Sequence, residues 1–298
     1  MMNIRNRART RAIGFLFLPL VFAAVERLTA QEKNFLWKIR SEKNTVYVLG
    51  SVHFLKKDNY PLKPGIEEAY ANTKKLVLEV DLQNAAPEKS QGLILQRGLY
   101  DDGRTLQQAV SREIFSLVEK RAQEFGLPAA ALDRFKPWSA AMTLLSLKLN
   151  KLGFDQKYGL DWHFFERAKR DRKDVVGLET FEYQIGIFDQ MSSSDQEQML
   201  GRSLKDLDVV EKEVDRLIHA WLTGNVKTME ALLLESFREY PKMHQKLLID
   251  RNRQWLRHIE DYLSQSEPYL LVVGAAHLVG KGGLIELLKE RGYSAQQM

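Results

Sequence analysis

One short pattern occurs twice in this chain, once near each end. The run 45–49 is apolar and rich in β-branched residues, and it leads into a Gly-Ser-Val-His segment that ends at His53. The run 269–273 is similar and leads into Gly-Ala-Ala-His, which ends at His277. Apolar runs of this length between turn residues are typical of buried strands. Because ligands bind beyond the carboxyl ends of strands in open α/β sheets, the pattern predicts that the two histidines share one site.

Either histidine taken alone carries little weight. A single Gly-x-x-His is a weak signal, and an isolated histidine is more often a structural residue than a functional one. Histidine is, however, the usual metal ligand and acid–base group near neutral pH. The repeated strand context therefore favours a joint functional role for His53 and His277 over two separate structural roles.

The remaining pattern predicts an α/β (α+β) fold with a central mixed sheet, Gly-x-x-His loops at strand ends and a large helical middle section. Strands are predicted at 35–39, 45–49, 75–82, 174–178 and 269–273, the first two forming a hairpin. Apolar residues recur at helical spacing between 106 and 149 and again from 194 to 263. For the second of these regions we predict Ser194 as the helix cap, with Glu197 completing a capping box.

The first thirty residues have the layout of a secretory signal peptide. Four arginines precede residue 12, the stretch 12–25 is apolar, and Leu28-Thr29-Ala30 supplies small residues for cleavage. We therefore expect residues 31–298 to form one domain that is secreted or periplasmic. The alternative is an uncleaved membrane anchor, although the apolar stretch is shorter than the roughly 20 residues that span a bilayer.

Composition excludes several classes of function. The chain has no cysteine, which rules out disulfides and thiolate chemistry. Residues 1–30 carry four of the five net positive charges, so the rest of the chain is nearly neutral and shows no basic surface for nucleic acid. Beyond the leader, no apolar stretch is long enough to cross a membrane.

Three acidic residues, Glu79, Asp81 and Glu179, follow or interrupt apolar strands. Glu79 lies inside the run 76–80, where an ionised carboxylate is costly unless a cation or hydrogen bonds compensate it. Asp81 faces the same side of the strand but is equally well explained as a turn residue. Glu179 follows the strand 174–178, and its alternative role is that of an acid stabilised at a helix N-terminus. Asp161 is better explained as a helix N-cap than as a ligand.

Taken together, these motifs resemble the TraB/GumN family. The resemblance rests on both Gly-x-x-His segments, the strand 76–81, the segment Val-Gly-Leu-Glu-Thr at 176–180 and the run 250–255, and it extends from about Phe35 to Tyr293. That family is related to the Tiki-type metalloproteases and the pheromone-shutdown proteins, and more distantly to the erythromycin esterases and ChaN-like proteins. Each motif alone is unspecific, but their order and combination are specific.

The resemblance implies an extracytoplasmic hydrolase with a divalent metal ion. His53, His277, Glu79 and Glu179 are the expected metal ligands, a set that suits Mn, Zn or Co. The ion polarises a carbonyl and activates water, and Glu79 and His53 act in catalysis. The resemblance also points to an arginine in the run 250–255. We prefer Arg251 over Arg253 as the group that stabilises an oxyanion.

Three alternatives remain open at this stage. His53 and Glu79 activate water directly in a metal-free hydrolase, as the likeness to erythromycin esterases allows. In a non-catalytic protein the same site binds a peptide or small molecule without turnover. Arg251 itself has a structural alternative, which is stacking on Trp255 one helical turn later. The expected partner is therefore a peptide or small-molecule substrate, with the oligomeric state undefined.

Overall fold

The computed structural model describes residues 33–83, 87–235 and 237–298, so the predicted leader, 1–30, lies outside the described residues. The strands are β1 (Leu36–Arg40), β2 (Thr45–Ser51), β3 (Lys75–Val80), β4 (Asp174–Glu179), β5 (Tyr269–Gly274) and β6 (Ser294–Gln297). The helices are α1 (Pro64–Ala71), α2 (Pro87–Gly98), α3 (Leu106–Ala109), α4 (Arg112–Glu124), α5 (Pro137–Lys151), α6 (Leu160–Asp171), α7 (Phe181–Asp189), α8 (Ser193–Asp206), α9 (Val210–Leu222), α10 (Val226–Glu235), α11 (Pro241–His244), α12 (Asp250–Ser264) and α13 (Leu284–Glu290).

The strands form one mixed sheet in the order β4-β3-β5-β2-β1-β6. Four neighbouring strands, β4, β3, β5 and β2, run parallel, whereas β1 is antiparallel to both β2 and β6. Strands β2 and β5, which carry the repeated pattern, lie side by side with Ser51 opposite Gly274. The predicted mixed sheet and the helical middle section are thus confirmed.

Two local predictions differ from the structure. The helix for which Ser194 is the predicted cap is capped two residues earlier, because the Ser192 side chain accepts from the Asp195 backbone N–H. Glu197 is used elsewhere, since its Oε1 accepts the backbone N–H of Ser111. Strand β6 was not predicted, because Ser-Ala-Gln-Gln has no alternation of apolar and polar residues. It pairs with β1 at the edge of the sheet.

The buried apolar side chains form two clusters, one around the sheet and one among the helices of the middle section. The larger surrounds the sheet, and Trp255 of α12 and Phe164 of α6 are among its fully buried members. The smaller lies in the helical middle section, where Val118 of α4, Leu144 of α5 and Leu200 of α8 pack together. Helices of the middle section also contact the sheet directly, since Trp221 of α9 donates from Nε1 to the carbonyl of Gly50 in β2 at 2.8 Å.

None of the helices in the described residues is both long and apolar enough to cross a membrane.

Candidate functional site

The four parallel strands end at one edge of the sheet, and the sequence-predicted residues lie there. Glu79 lies near the end of β3 and Glu179 ends β4. His53 follows β2 by two residues, and His277 lies in the short turn that follows β5. Arg251 reaches the same place from the first turn of α12. The structure thus brings together all five residues that the sequence singled out.

Arg251 joins the two glutamates. Its Nη2 donates to Oε2 of Glu79 and to Oε1 of Glu179, both at 2.5 Å, and its Nε donates to Glu179 at 3.0 Å. Gln184 of α7 bridges the same pair, because its Nε2 donates to Glu79 at 3.0 Å and to Glu179 at 2.8 Å. We call Glu79, Glu179, Gln184, Arg251 and Trp255 the Arg251 cluster.

Every N–H group of Arg251 has an acceptor. A guanidinium carries five N–H groups; besides the bonds to the glutamates, Nη1 donates to the carbonyl of Leu247 at 2.9 Å and to Nε2 of His277 at 3.0 Å. Leu247 belongs to the π-helical turn Gln245–Ile249, which directly precedes α12. Oxyanion binding by Arg251 therefore requires the loss of an existing hydrogen bond.

Arg251 also packs on Trp255, as the structural alternative proposed. The guanidinium carbon lies 4.7 Å from the centre of the indole ring, and Trp255 donates from Nε1 to Oε2 of Glu179 at 3.1 Å. Because the arginine is buried, the stacking is part of an ionic cluster and not a surface contact. Arg253, the other candidate, is exposed.

Glu79 is ionised despite its burial. Burial acts to raise its pKa, but attraction to nearby cationic side chains, Arg251 among them, and the hydrogen bond from Gly274 outweigh burial, so the pKa lies well below its usual range. Its second oxygen, Oε1, accepts the backbone N–H of Gly274 at 2.6 Å. The apolar strand therefore tolerates this carboxylate because a guanidinium and a backbone amide compensate its lost hydration.

His277 is held as a neutral ring. Its side chain is only 4% exposed, and burial lowers its pKa to about 3. Nδ1 lies 2.6 Å from Oδ1 of Asn252, and Nε2 faces Arg251. The ring also packs on Trp255, with centroids 4.3 Å apart. Near pH 7 His277 is therefore uncharged, and the cation in hydrogen-bond contact with Glu79 is Arg251.

His53 differs sharply from His277 in its environment. Its side chain is 56% exposed, and its Nδ1 lies 2.8 Å from Oδ2 of Asp161. The charge of Asp161 is the main reason that the pKa of His53 is raised, to about 9. Ser51 donates its hydroxyl to the same Asp161 oxygen at 2.6 Å. Asp161 is not the helix cap that the sequence suggested, because the cap position of α6 is Gly159.

Close backbone packing places His53 beside Asp161. The backbone N–H of Leu160 donates to the carbonyl of Val52 at 3.2 Å, which ties the loop after β2 to the start of α6. A Cβ on Gly159 would lie only 2.1 Å from the carbonyl oxygen of His53. Glycine is therefore needed at this position for the loop and the helix to approach.

The two histidines converge beside Gly274. A Cβ on this glycine would lie 3.1 Å from Oε1 of Glu79, 3.3 Å from Nε2 of His53 and 3.7 Å from Cδ2 of His277. Nε2 of His277 lies 3.8 Å from Oε1 of Glu79. The repeated pattern thus delivers two imidazoles and one carboxylate to one small volume, and a side chain on residue 274 would intrude on it.

The family model for the TraB/PrgY/gumN family matches residues 35–297, almost the whole described chain. The chain belongs to the TraB/PrgY/gumN family. Among relatives, the uncharacterized protein YbaP of Escherichia coli strain K12 is 24% identical over 245 residues, which are 82% of this chain and 87% of YbaP. YbaP of Shigella flexneri has the same identity and coverage.

A further relative matches a shorter part of this TraB/PrgY/gumN protein. A metalloprotease TIKI homolog of Amphimedon queenslandica is 34% identical over 76 residues, which are 25% of this chain and 14% of the TIKI homolog. No solved structure matches the chain significantly.

The donor atoms at this site are of the types that the expected metal ion binds. Two imidazole nitrogens and a carboxylate are ligands of Zn, Mn and Co. Within the described residues, however, no three His, Asp or Glu side chains already stand at the spacing of a metal site. Arg251 lies against Nε2 of His277, so an ion bound to that nitrogen requires Arg251 to release it.

Sequence reasoning missed Gln184 and Asn252 as members of the site. Neither residue lies at a strand end, and an amide side chain on an amphipathic helix gives no signal of its own. Gln184 lies one turn after Thr180, which caps α7 by accepting from the Tyr183 N–H. The helix N-terminus considered for Glu179 therefore did indicate a helix beginning at the site. Only the packing of that helix shows which of its residues faces the glutamates.

Two cavities lie elsewhere on the protein. One, of about 530 Å³, is lined by residues that include Leu234, Phe237 and His244. The other, of about 250 Å³, is lined by residues that include Met191 and Tyr240. Neither is lined by the Arg251 cluster or by the two histidines, so we base the functional assignment on the strand-end chemistry.

Proposed function

We propose that this protein is a hydrolase that cleaves a peptide or ester bond, using a divalent metal ion held by His53, His277 and Glu79. The observation that supports the proposal best is the convergence of both imidazoles on Glu79 beside Gly274. Each histidine also has its Nδ1 against an oxygen atom, the arrangement that metal-bound histidines usually show.

A divalent ion at such a site supplies Lewis-acid polarisation of a carbonyl and increases the acidity of water. Glu79 contributes Oε1 in its ionised form, because its pKa is lowered. His53 lies at the exposed side and is the first of these groups that a substrate reaches. We assign Glu179 the task of holding Arg251, since both of its oxygens accept hydrogen bonds from that guanidinium.

A metal-free hydrolase is the second candidate, and the saturated Arg251 favours it. Every N–H group of Arg251 has an acceptor without any added ion, and Nε2 of His277 already has Arg251 as a partner. In this alternative His53 takes a proton from water at Nε2, and Asp161 stabilises the protonated ring through Nδ1–H. Because the pKa of His53 is raised to about 9, the ring is a free base only at alkaline pH, and this alternative predicts turnover that rises with pH through that range.

The proposed location is outside the cytoplasm, and the proposed substrate class includes peptides. The order of basic, apolar and small residues in positions 1–30 supports export. The partial match to a protein named a metalloprotease TIKI homolog supports peptide cleavage.

The test is elemental analysis of the purified chain, followed by turnover of peptide and ester libraries with and without a chelator. We expect bound metal, chelator-sensitive turnover, and loss of metal from the variants His53→Ala and His277→Ala. His258→Ala, in an exposed helix position, is the matched control and should retain both the bound metal and the turnover. Turnover that survives the chelator in a metal-free protein would support the second candidate. Binding of peptides without any turnover would contradict both.

A further inference from the structure

The two histidines of the repeated pattern share a feature that the pattern itself does not contain. Behind each ring stands an oxygen acceptor supplied by a helix: Asp161 of α6 behind His53, and Asn252 of α12 behind His277. The first acceptor lies 108 positions from its histidine, whereas the second lies 25 positions from its own. The same contact is therefore made by unrelated parts of the chain.

The orientation of the Asn252 amide follows from its partners. Its Nδ2 lies 2.8 Å from the carbonyl oxygen of Gly282 and 3.3 Å from that of His277. Carbonyl oxygens only accept, so the NH2 group must point towards them. The amide oxygen then faces Nδ1 of His277, which must carry a hydrogen to donate.

The contact of the other ring nitrogen of His277 independently requires the same tautomer. Nε2 faces Nη1 of Arg251 at 3.0 Å, and a guanidinium has only donors. Nε2 must therefore present its lone pair. Two separate contacts thus require the tautomer with hydrogen on Nδ1. The Nε2 lone pair accepts from Arg251, and Nε2 lies 3.8 Å from Oε1 of Glu79.

Asp161 imposes the same tautomer on His53. An ionised carboxylate only accepts, so Nδ1 of His53 must donate to Oδ2. The hydroxyl of Ser51 donates to the same oxygen and so helps to hold the carboxylate in place. Nε2 of His53 is thereby turned towards Gly274 and Glu79.

The different charges of the two acceptors match their surroundings. Asp161 stands near an exposed ring, where water reduces the cost of a carboxylate. Asn252 is 1% exposed and lies beside a region that already holds the buried acids Glu79 and Glu179. A third buried carboxylate there would need a further cation, so a neutral acceptor is the stable choice.

We infer that Asp161 and Asn252 are positioning residues, each of which holds one histidine with hydrogen on Nδ1 and the Nε2 lone pair directed at the shared site. The inference deepens the proposed function, on which its consequence for metal binding rests. The tautomers themselves do not depend on it, because the contacts that require them are present without any ion.

The first experiment measures the tautomers directly in the metal-free full chain. Two-bond nitrogen–hydrogen correlation spectra of the imidazole rings are recorded at alkaline pH, where the rings are neutral. We expect hydrogen on Nδ1 for both His53 and His277, whereas an unconstrained histidine prefers hydrogen on Nε2. Hydrogen on Nε2 of either ring would overturn the inference. This measurement needs no variant, so a variant that fails to fold cannot remove the test.

The second experiment uses Asp161→Ala and Asn252→Ala, with Ser51→Ala as the matched control. Asp161→Ala should return His53 to the Nε2–H form and leave His277 unchanged. Asn252→Ala should shift His277 only partly towards that form, because Nη1 of Arg251 still donates to its Nε2, and should leave His53 unchanged. Ser51→Ala removes only a neighbour of Asp161 and should leave His53 with hydrogen on Nδ1. An unchanged tautomer in a folded acceptor variant would contradict the assignment.

Calorimetric titration with manganese or zinc chloride separates the inference from the proposed function. If the unaltered protein binds the ion, Asp161→Ala should raise the dissociation constant about 10- to 100-fold, the usual effect of losing such a partner. If the unaltered protein binds no ion but the tautomers are as expected, the positioning roles stand and the metal assignment fails. An unchanged dissociation constant in a folded Asp161→Ala protein would overturn the positioning role of Asp161.

Discussion

Nη2 of Arg251 lies 2.5 Å from Oε2 of Glu79, although 172 positions separate the two residues in the chain. The contact joins the end of a central strand to the first turn of a helix, and both side chains are nearly excluded from water. A buried ion pair of this kind adds little stability relative to apolar residues, but the loss of one partner is costly. The cluster therefore constrains the site more than it stabilises the fold.

Arg251→Gln should destabilise the protein strongly. The substitution leaves Glu79 and Glu179 buried without their cation, and breaking such a pair costs about 3–5 kcal/mol. The measurement is urea-induced unfolding at neutral pH. Arg253→Gln, two positions away and exposed, is the control and should change the free energy of unfolding by no more than about 0.5 kcal/mol. Equal midpoints for the two variants would contradict the role of Arg251.

Glu79→Gln should reduce turnover by about 100-fold or more, the scale of losing an acid–base group. The variant keeps the shape of the side chain but loses its charge, and it remains folded because Arg251 still has Glu179. Thermal melts and rates on a substrate found in the library test this. Glu179→Gln should reduce turnover less, since its oxygens face the guanidinium and not the histidines. A normal rate for Glu79→Gln would make Glu79 structural.

Gly274→Ala should reduce turnover and metal binding while the protein stays folded. The backbone φ of −50° suits alanine, but the new Cβ would press on Glu79 and His53 at 3.1 and 3.3 Å. Displacement of these groups by a few tenths of an ångström should cost about 10- to 100-fold in rate. Gly92→Ala is the matched control, because nothing lies within 4 Å of its Cβ, and it should add about 0.5–1 kcal/mol of stability without altering the rate. Equal rates for both variants would argue against a site beside Gly274.

Acid should destabilise the protein partly through His163. Burial lowers the pKa of this residue, and its ring packs on Tyr60 and Phe164. The folded chain therefore binds fewer protons there than the unfolded chain, so stability falls as pH drops below the ordinary histidine value of 6.5 towards the lowered pKa. His163→Phe keeps the ring contacts and should lose less stability between pH 7 and 5. Urea unfolding at several pH values measures the free energy of unfolding of both proteins. An equal loss of stability between pH 7 and 5 in the two proteins would contradict the role of His163.

Removal of the leader is a separate prediction. We expect a mature N-terminus near Gln31, since Leu28-Thr29-Ala30 follows an apolar stretch and a basic one. N-terminal sequencing of protein from the native host tests this. Recovery of a soluble cytoplasmic protein that retains Met1 would contradict the proposed location.

The local pattern of the chain was enough to predict five of the six strands in the described residues and the sheet edge at which the candidate site residues lie. Neighbouring residues alone specify a strand where an apolar, β-branched run ends in glycine. Parallel strands that pair with one another have their carboxyl ends at the same edge of the sheet. His53, His277, Glu79 and Glu179 could be assigned to that edge because each directly follows or interrupts such a run.

Tertiary packing alone decided which side chains meet there and in what state. The partners of Arg251, the bridge made by Gln184 and the acceptors Asp161 and Asn252 depend on how α6, α7 and α12 are rotated against the sheet. No spacing in the sequence encodes that rotation, because it results from burying helix faces such as those of Trp255 and Phe164. The burial that sets these contacts also makes His277 neutral and leaves His53 exposed, a difference that two identical Gly-x-x-His motifs cannot express.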